Sequence, residues 1–246
     1  MKLLQINIWQ GRLMKNFLKL IDEVQPDFIT FQELCSSGNI ESKFFNNVEE
    51  LEARFNYSYK IFTPALSWSM MSYKIDFGNA IYSKYPIVDS NSIFTNLQYK
   101  DDFDLSTDDY NIRNLVDAKV DIGGKIFHIL THHGIHVHGS KEGDEETFRQ
   151  IKMIENYVSS ISEGIIITGD FNLSPRSKSL EVLNNKFKNL CIENNISTTR
   201  NEFASTETQV CDYIFTNDKI QVNEFEVSNA LVSDHAALIL DFEVIL

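Results

Sequence analysis

The sequence lacks several features that would define a class of protein. It has three cysteines, Cys35, Cys191 and Cys211, which are widely separated and without CxxC spacing, so a disulfide framework or structural zinc site is disfavoured. We expect all three to be small buried apolar residues. No stretch approaches the ~20 apolar residues of a membrane span, and the opening MKLLQINIWQGR has too short an apolar run for a signal peptide. These absences predict a soluble, cytoplasmic protein without a membrane span.

Positive charge is also scarce. There are 35 acidic and 22 basic residues, and the formal net charge of -13 gives an average surface field that repels phosphate polyanions. Long duplex DNA is therefore a disfavoured partner, unless a local basic groove or bound divalent cations reverse the field. The sequence has no internal repeat, low-complexity segment or clear linker. With 246 residues, 43% of them hydrophobic, we expect residues 1–246 to form one domain and the chain to be a monomer.

Hydrophobic periodicity predicts an α/β protein that opens with a strand, a helix and a strand. The predicted helices cover residues 13–24, 42–55, 145–161 and 179–187. The predicted strands cover residues 2–8, 28–31, 79–83, 118–122, 125–133, 164–168, 212–216, 221–227 and 237–244. The acidic stretch 100–109 has little periodicity and lacks the glycine and terminal glutamate of an EF-hand, so we expect a solvated loop.

Several polar residues share one setting, the end of a hydrophobic strand or the loop directly after it. Strand ends in α/β proteins bring distant segments to one edge of a sheet, so these side chains are expected to converge. The residues are Asn7, Glu33, His133, Asp170, Asn172, Asp212, Asp234 and His235.

The chemistry of these residue types suits phosphoester hydrolysis. Asp170 can accept a proton or orient water, and Asn172 can donate to a phosphoryl oxygen without charge repulsion. Asp234 beside His235 joins a carboxylate to a titratable ring, and Glu33 offers the hard oxygen that Mg²⁺ or Mn²⁺ prefers. Each signal alone has a structural alternative, which is a helix cap, a surface histidine or a charge that ends a strand.

Four histidines lie close together at positions 132, 133, 136 and 138. Their spacing differs from that of a helical HExxH site, no cysteine lies nearby, and a strand would direct His132 and His133 to opposite faces. A dedicated zinc site is therefore disfavoured. We expect one histidine at the rim of the site and the others solvated or hydrogen-bonded in the loop.

An ordered set of short motifs resembles the endonuclease/exonuclease/phosphatase superfamily, which has a DNase I-like fold. The motifs span nearly the whole chain, and their order and spacing make the resemblance specific. They are Gln5-Ile6-Asn7, Phe31-Gln32-Glu33, Tyr82-Ser83-Lys84-Tyr85-Pro86-Ile87, Thr131-His132-His133, Gly169-Asp170-Phe171-Asn172, Asp212-Tyr213-Ile214-Phe215 and Ser233-Asp234-His235. The resemblance implies an α/β four-layer sandwich, in which two mixed β-sheets pack face to face and are flanked by helices, with a divalent-metal site at one rim.

The same resemblance implies a metal-binding role for three residues. Glu33 would be the principal ligand of Mg²⁺ or Mn²⁺. Asn7 beside it would contact metal, water or phosphate, and Asp234 would be a further metal carboxylate.

The other residues would bind substrate and handle protons. Asp212 would orient His235, which would stabilise phosphoryl oxygens or move a proton. Asp170 would align or deprotonate the attacking water, and Asn172 would bind the phosphate. His133 would be the remaining histidine of the site.

Two features depart from the nuclease members of the superfamily. The position two residues after Asn7 is Trp9, where nucleases often carry an acidic residue, so DNA-repair activity is less favoured. The family histidine can be placed on His132 or on His133. His133 precedes Gly134, as in a bacterial subgroup with His-Gly at this point. We favour His133 because the segment from Thr199-Arg200 to Ser233-Asp234-His235 also resembles that subgroup.

The sequence therefore predicts a metal-dependent hydrolase of a small or lipid-linked phosphoester. A nuclease acting on single-stranded, RNA or end-modified substrates is the alternative within the same class. A non-catalytic binding module on the same fold is disfavoured because the full set of chemical groups is present. Substrate identity is not readable from the loops predicted at residues 63–76 and 97–113, where Trp68 is expected to pack in a surface loop rather than form a substrate wall.

Overall fold

The computed structural model describes residues 1–42, 44–204 and 209–245 and consists mainly of β-strands. Within these residues the strands are β1 (Lys2–Asn7), β2 (Phe28–Ser36), β3 (Tyr59–Met70), β4 (Tyr73–Ser83), β5 (Ile87–Asn96), β6 (Arg113–Ile122), β7 (Lys125–His133), β8 (Gly164–Asp170), β9 (Lys188–Asn189), β10 (Asp212–Thr216), β11 (Ile220–Val227) and β12 (Leu238–Val244). The helices are α1 (Met14–Val24), α2 (Asn47–Arg54), α3 (Glu145–Val158), α4 (Glu181–Asn184) and α5 (Leu190–Glu193).

The strands form two six-stranded mixed sheets. The first sheet has the order β11-β12-β1-β2-β4-β3, and the second has the order β5-β6-β7-β8-β10-β9. The pairs β1–β2 and β7–β8 are parallel, whereas the other pairs are antiparallel. The predicted α/β fold with two mixed sheets is confirmed.

Alternation along the strands divides the hydrophobic core into layers. In β1, Leu3 belongs to the cluster that holds the two sheets together, whereas Leu4 packs with Phe17 of α1 on the other face. Helix α3 contributes Ile151 and Ile154 to the cluster that contains the second sheet. Because successive side chains point to opposite faces of a strand, one face of each sheet packs against helices and the other packs against the second sheet.

Buried polar pairs also connect the two sheets. Gln32 on β2 donates to Thr131 on β7 at 2.7 Å, and Thr168 on β8 donates to Thr30 on β2 at 2.9 Å. Buried polar groups need partners, so these bonds favour one alignment of the sheets over others. The strand ends that carry the predicted site residues are consequently held at one edge.

Two predicted helices are shorter than expected. The helix predicted at residues 42–55 forms only as α2, because Phe45 adopts a left-handed φ of 57° and interrupts the helical path. The helix predicted at 179–187 forms only as the single turn α4, which is preceded by a turn in which the Leu180 amide donates to Ser177 Oγ. In both segments local polar and turn geometry outweighs the helical pattern.

The prediction of a loop at residues 63–76 is wrong. This segment is a β-hairpin formed by β3 and β4, and its Trp68 is buried between Phe45 and Phe77. The three cysteines are buried, as predicted. Across the described ranges, no helix is both long enough and apolar enough to cross a membrane.

Candidate active site

The eight predicted residues meet at one edge of the sandwich. Six of them line a cavity of about 680 Å³, and the other two, Asn7 and Asp212, are buried directly behind its wall. The six are Glu33, His133, Asp170, Asn172, Asp234 and His235. The remaining lining residues are Trp9, Gln10, Phe77, Asp108, Asp109, Tyr110, Asn111, Arg113, His136, His138, Lys141 and Arg200.

Glu33 is presented to the cavity by an irregularity in β2. The pairing of β2 with β4 shifts register between Phe31 and Leu34, and Glu33 lies in this bulge with a φ of 57°. Bulges re-aim side chains, and a left-handed glutamate is strained, so the surrounding fold must stabilise this conformation. The sequence had suggested that the strand stops before Glu33, whereas β2 continues to Ser36.

Asn7 connects two carboxylates of the site. Its Nδ2 donates to Glu33 Oε1 at 3.2 Å and to Asp170 Oδ2 at 3.1 Å, while its Oδ1 accepts from the Trp9 amide at 3.1 Å. Desolvation raises the pKa of Glu33, and the nearby Asp170 adds to the increase, against opposing effects of His235 and Asn7. The positive charge of the protein's own residues therefore does not fully offset the effect of burial on the Glu33 carboxylate.

Asp170 ends β8 beside the rings of His133 and His235. Its Oδ2 lies 3.8 Å from His133 Nε2 and 3.6 Å from His235 Nε2. Burial opposes ionisation, but His235, His133 and Lys141 outweigh it and hold the pKa of Asp170 well below its usual range. Asp170 is consequently a carboxylate at neutral pH.

His235 and Asp212 form a buried dyad. His235 Nδ1 lies 2.8 Å from Asp212 Oδ2 and 3.0 Å from Oδ1, and Asp212 also accepts from Thr199 Oγ1 at 2.7 Å. Burial lowers the pKa of His235, but Asp212 and Asp170 outweigh it and raise that pKa well above its usual value. The dyad fixes the ring so that Nε2 faces Asp170 and the cavity.

Asn172 is held by several protein partners. Its Oδ1 accepts from Lys141 Nζ at 2.8 Å and lies 3.2 Å from His136 Nδ1, and its Nδ2 donates to the Gly134 carbonyl at 3.3 Å. The residue has a φ of 55°, a conformation that asparagine tolerates better than most residues. Among the described residues, Nδ2 makes only this bond, so its second hydrogen can be donated to a ligand. Phosphate binding by Asn172 stays a prediction.

Asp234 shares its carboxylate with Arg200, which the sequence did not assign to the site. Arg200 Nη2 lies 2.9 Å from Asp234 Oδ2, and Arg200 Nη1 contacts His235 Nε2. Arg113 and Lys141 are two further cations of the cavity that were not predicted. No spacing pattern identifies them, and the only available signal was that they are basic residues in an acidic chain.

The histidine cluster differs from the expected arrangement. His133 lines the cavity, whereas His132 points into the core, where its Nδ1 lies 3.1 Å from the Asn114 carbonyl. The expectation of a single histidine at the rim is wrong, because His136 and His138 line the same cavity. Residues 134–144 connect β7 to α3, and His136, His138 and Lys141 of this segment line the cavity together with Asp170.

The donor set of the cavity fits a hard divalent cation. Glu33, Asp170 and Asp234 supply carboxylate oxygens, and the raised pKa of Glu33 shows that a cation beside it would relieve an existing cost. One compact group of three donors, Asp170, Cys211 and His235, occurs among the described residues. Cys211 and His235 in that group both already contact Asp212, so we interpret it as a hydrogen-bond network.

Comparison with known proteins identifies a family for this chain and solved structures of similar fold. The profile described as the Endonuclease/Exonuclease/phosphatase family matches residues 4–235. No curated protein matches the sequence.

Solved structures of similar fold cover nearly the whole chain. An endonuclease/exonuclease/phosphatase from Bacteroides vulgatus has a TM-score of 0.74 at 19% identity, covering 99% of this chain and 98% of that chain. The human Nocturnin catalytic domain with bound sulfate has a TM-score of 0.70 at 18% identity, covering 99% and 94%. The mannosyl-6-phosphatase of Bacteroides thetaiotaomicron has a TM-score of 0.70 at 12% identity, covering 99% of both chains. Because the family profile matches residues 4–235, the chain belongs to the endonuclease/exonuclease/phosphatase family.

Proposed function

We propose that this protein is a divalent-metal-dependent hydrolase of a small or lipid-linked phosphoester, in which an activated water attacks phosphorus in line with the leaving group. The observation that carries the proposal is the convergence of Glu33, Asp170 and the His235–Asp212 dyad on one cavity from distant parts of the chain. Members of the family hydrolyse phosphoester bonds, and this arrangement supplies the groups which that chemistry needs.

Glu33 is the residue we assign to a Mg²⁺ or Mn²⁺ ion, with Asn7 and Asp234 beside it. When bound, the cation would lower the pKa of water or neutralise charge on the phosphate and leaving oxygen. The Asn7 amide keeps Glu33 and Asp170 at hydrogen-bond distance from one nitrogen and so limits their separation. This positioning would hold the metal carboxylate and the catalytic carboxylate in a fixed relation.

Asp170 is the residue we assign to the attacking water. Its low pKa keeps it ionised, so it can accept a hydrogen bond from water and align one of the lone pairs of the water oxygen with phosphorus. The carboxylates of Asp212 and Asp170 raise the pKa of His235 against the effect of burial and so favour its protonated ring, whose Nε2 would donate to a phosphoryl oxygen as negative charge develops. Asn172 and His133 border the same volume and would complete the phosphate contacts.

A hydrolysis screen tests the proposal directly. Purified protein is assayed with Mg²⁺, Mn²⁺ or EDTA against phosphomonoesters and phosphodiesters, including sugar phosphates and phospholipid head groups, alongside Asp170→Ala. We expect metal-dependent turnover of at least one non-nucleic substrate by the wild type and its loss in the variant. Equal activity of the two proteins, or DNA cleavage without any other activity, would reject the proposal.

The cavity cations Arg113, Lys141 and Arg200 favour a second candidate, a nuclease for single-stranded, RNA or end-modified substrates. Salt dependence distinguishes the two. Binding of a polyanion releases counterions, so nuclease activity would fall steeply with added salt, whereas hydrolysis of a small phosphoester would change little. The net charge of -13 favours the small substrate.

A further inference from the structure

Arg113 is a buried cation whose hydrogen-bonding capacity is largely unused. It is the first residue of β6, lines the active-site cavity, and has 6% of its surface exposed. A guanidinium carries five N–H donors, yet its one side-chain bond to a described residue is Nη2 to Asn111 Oδ1 at 3.3 Å. Its Nε is buried without any partner in the same set of residues.

This arrangement differs from that of a structural arginine. No carboxylate among the described residues lies within ion-pair distance of the Arg113 side chain, although Glu33 and Asp170 are close enough to affect its pKa. Burial lowers that pKa, and the two carboxylates oppose the decrease. Buried charges without partners are rare because the lost hydration is not repaid. The folded protein therefore carries a cost at Arg113 which a bound anion would relieve.

We propose that Arg113 is a substrate-binding residue that donates its free Nη–H groups to the phosphate oxygens of the substrate. This assignment rests on the proposed function and identifies a side chain that binds the phosphate of the substrate. A guanidinium matches two phosphate oxygens in a fork, and Arg113 lines the same cavity as Glu33 and Asp170, where the reacting phosphoryl group would lie.

Affinity for inorganic phosphate, measured by calorimetry with Mg²⁺ present throughout, tests the assignment without turnover. Arg113→Met keeps an unbranched side chain similar to the aliphatic part of arginine and removes every donor, and Arg113→Lys keeps the charge without the fork. The matched control is Arg149→Met, which removes one charge from an exposed pair with Glu146. We expect Arg113→Met to lose about 10- to 100-fold in phosphate affinity, Arg113→Lys to recover part of it, and Arg149→Met to equal the wild type.

Thermal unfolding of the phosphate-free proteins separates binding from a structural role. Because Arg113→Met removes a buried charge without an ion-pair partner, we expect its melting temperature to stay level or rise by about 2–4 °C. A lower melting temperature, or phosphate affinity within twofold of the wild type, would overturn the proposal. Phosphate binding that depends on Arg113 in a protein inactive on every phosphoester would reject the proposed function and leave this assignment in place.

Discussion

Asp212 has no exposed surface and reaches the cavity only through His235. Its partners Thr199 and Gln5 hold it from behind, so the carboxylate is fixed before any ligand arrives. A residue placed in this way acts through the orientation and charge of the ring that it holds. The effect of changing it should therefore be seen in turnover more than in binding.

Asp212→Asn should lower kcat by about 10²- to 10⁴-fold with a smaller change in KM, because the neutral amide no longer stabilises the protonated ring of His235. The measurement is steady-state kinetics on the substrate found in the screen. Asp241→Asn, which changes a partly exposed carboxylate on β12, is the control and should keep wild-type kinetics. Activity of Asp212→Asn within twofold of the wild type would show that the dyad has no part in turnover.

His132 should make the protein less stable in acid. Burial lowers its pKa from 6.5 to about 4, so the unfolded chain binds a proton that the folded chain excludes. Stability is therefore complete above the unfolded pKa of 6.5 and is lost as the pH falls towards 4. Between pH 7 and pH 5 the expected loss from this residue is about 2 kcal/mol.

Urea unfolding of the wild type and His132→Asn at several pH values measures this loss. The asparagine can keep the bond to the Asn114 carbonyl but does not titrate, so the difference in stability between the two proteins should shrink as the pH falls. His133 also has a lowered pKa, but it is present in both proteins and cancels. A difference that is independent of pH would show that the pKa of His132 is the same in the folded and the unfolded state.

At the scale of elements, the pattern of the sequence predicted the strands better than the short helices. Strands such as β8 and β10 are buried at every position and consist mostly of apolar residues. Their limits can therefore be read from the limits of the apolar run in the sequence. The bulge at Glu33 and the left-handed Phe45 depend on contacts between distant segments, so local periodicity did not reveal them. The same limit explains the missed Arg113, whose place in the cavity follows from the pairing of β6 with β5 and β7.

Gly169 allows β7 and β8 to carry His133 and Asp170 side by side. Its φ is +147°, and a Cβ at this position would lie 2.0 Å from the His132 carbonyl oxygen. Gly169→Ala must therefore push two paired backbones apart, and we expect a loss of about 3 kcal/mol or more in the free energy of unfolding. Chemical denaturation measures the loss, and a variant within about 0.5 kcal/mol of the wild type would show that the strands can separate at little cost.

For the whole molecule, the site joins the two sheets through carboxylates that repel one another. Glu33 belongs to the first sheet and Asp170 to the second, so a cation held by Glu33 would reduce their repulsion and stabilise the packing of one sheet on the other. Ligands that bind only the folded state raise its stability according to concentration and affinity. Metal binding should consequently be measurable in the unfolding of the entire chain.

Mg²⁺ should raise the melting temperature of the wild type, by an amount that corresponds to about 2.7 kcal/mol at a concentration of 100 Kd. Glu33→Gln should abolish this increase. In EDTA the variant should be at least as stable as the wild type, because the desolvated carboxylate with a raised pKa is replaced by a neutral amide. An equal Mg²⁺ response in both proteins would place the metal elsewhere, and Glu50→Gln, on the surface of α2, is the control.

The pairing of β1 with β12 determines when the site can exist during synthesis. Strand β1 is translated long before Leu238–Val244, which is one of its two neighbours in the sheet, and His235 lies shortly before that neighbour. Until this later segment leaves the ribosome, a nascent chain holds a half-open sheet edge and lacks the imidazole of the dyad. The site would therefore be completed in one step, when that segment emerges, and not gradually as the polypeptide grows.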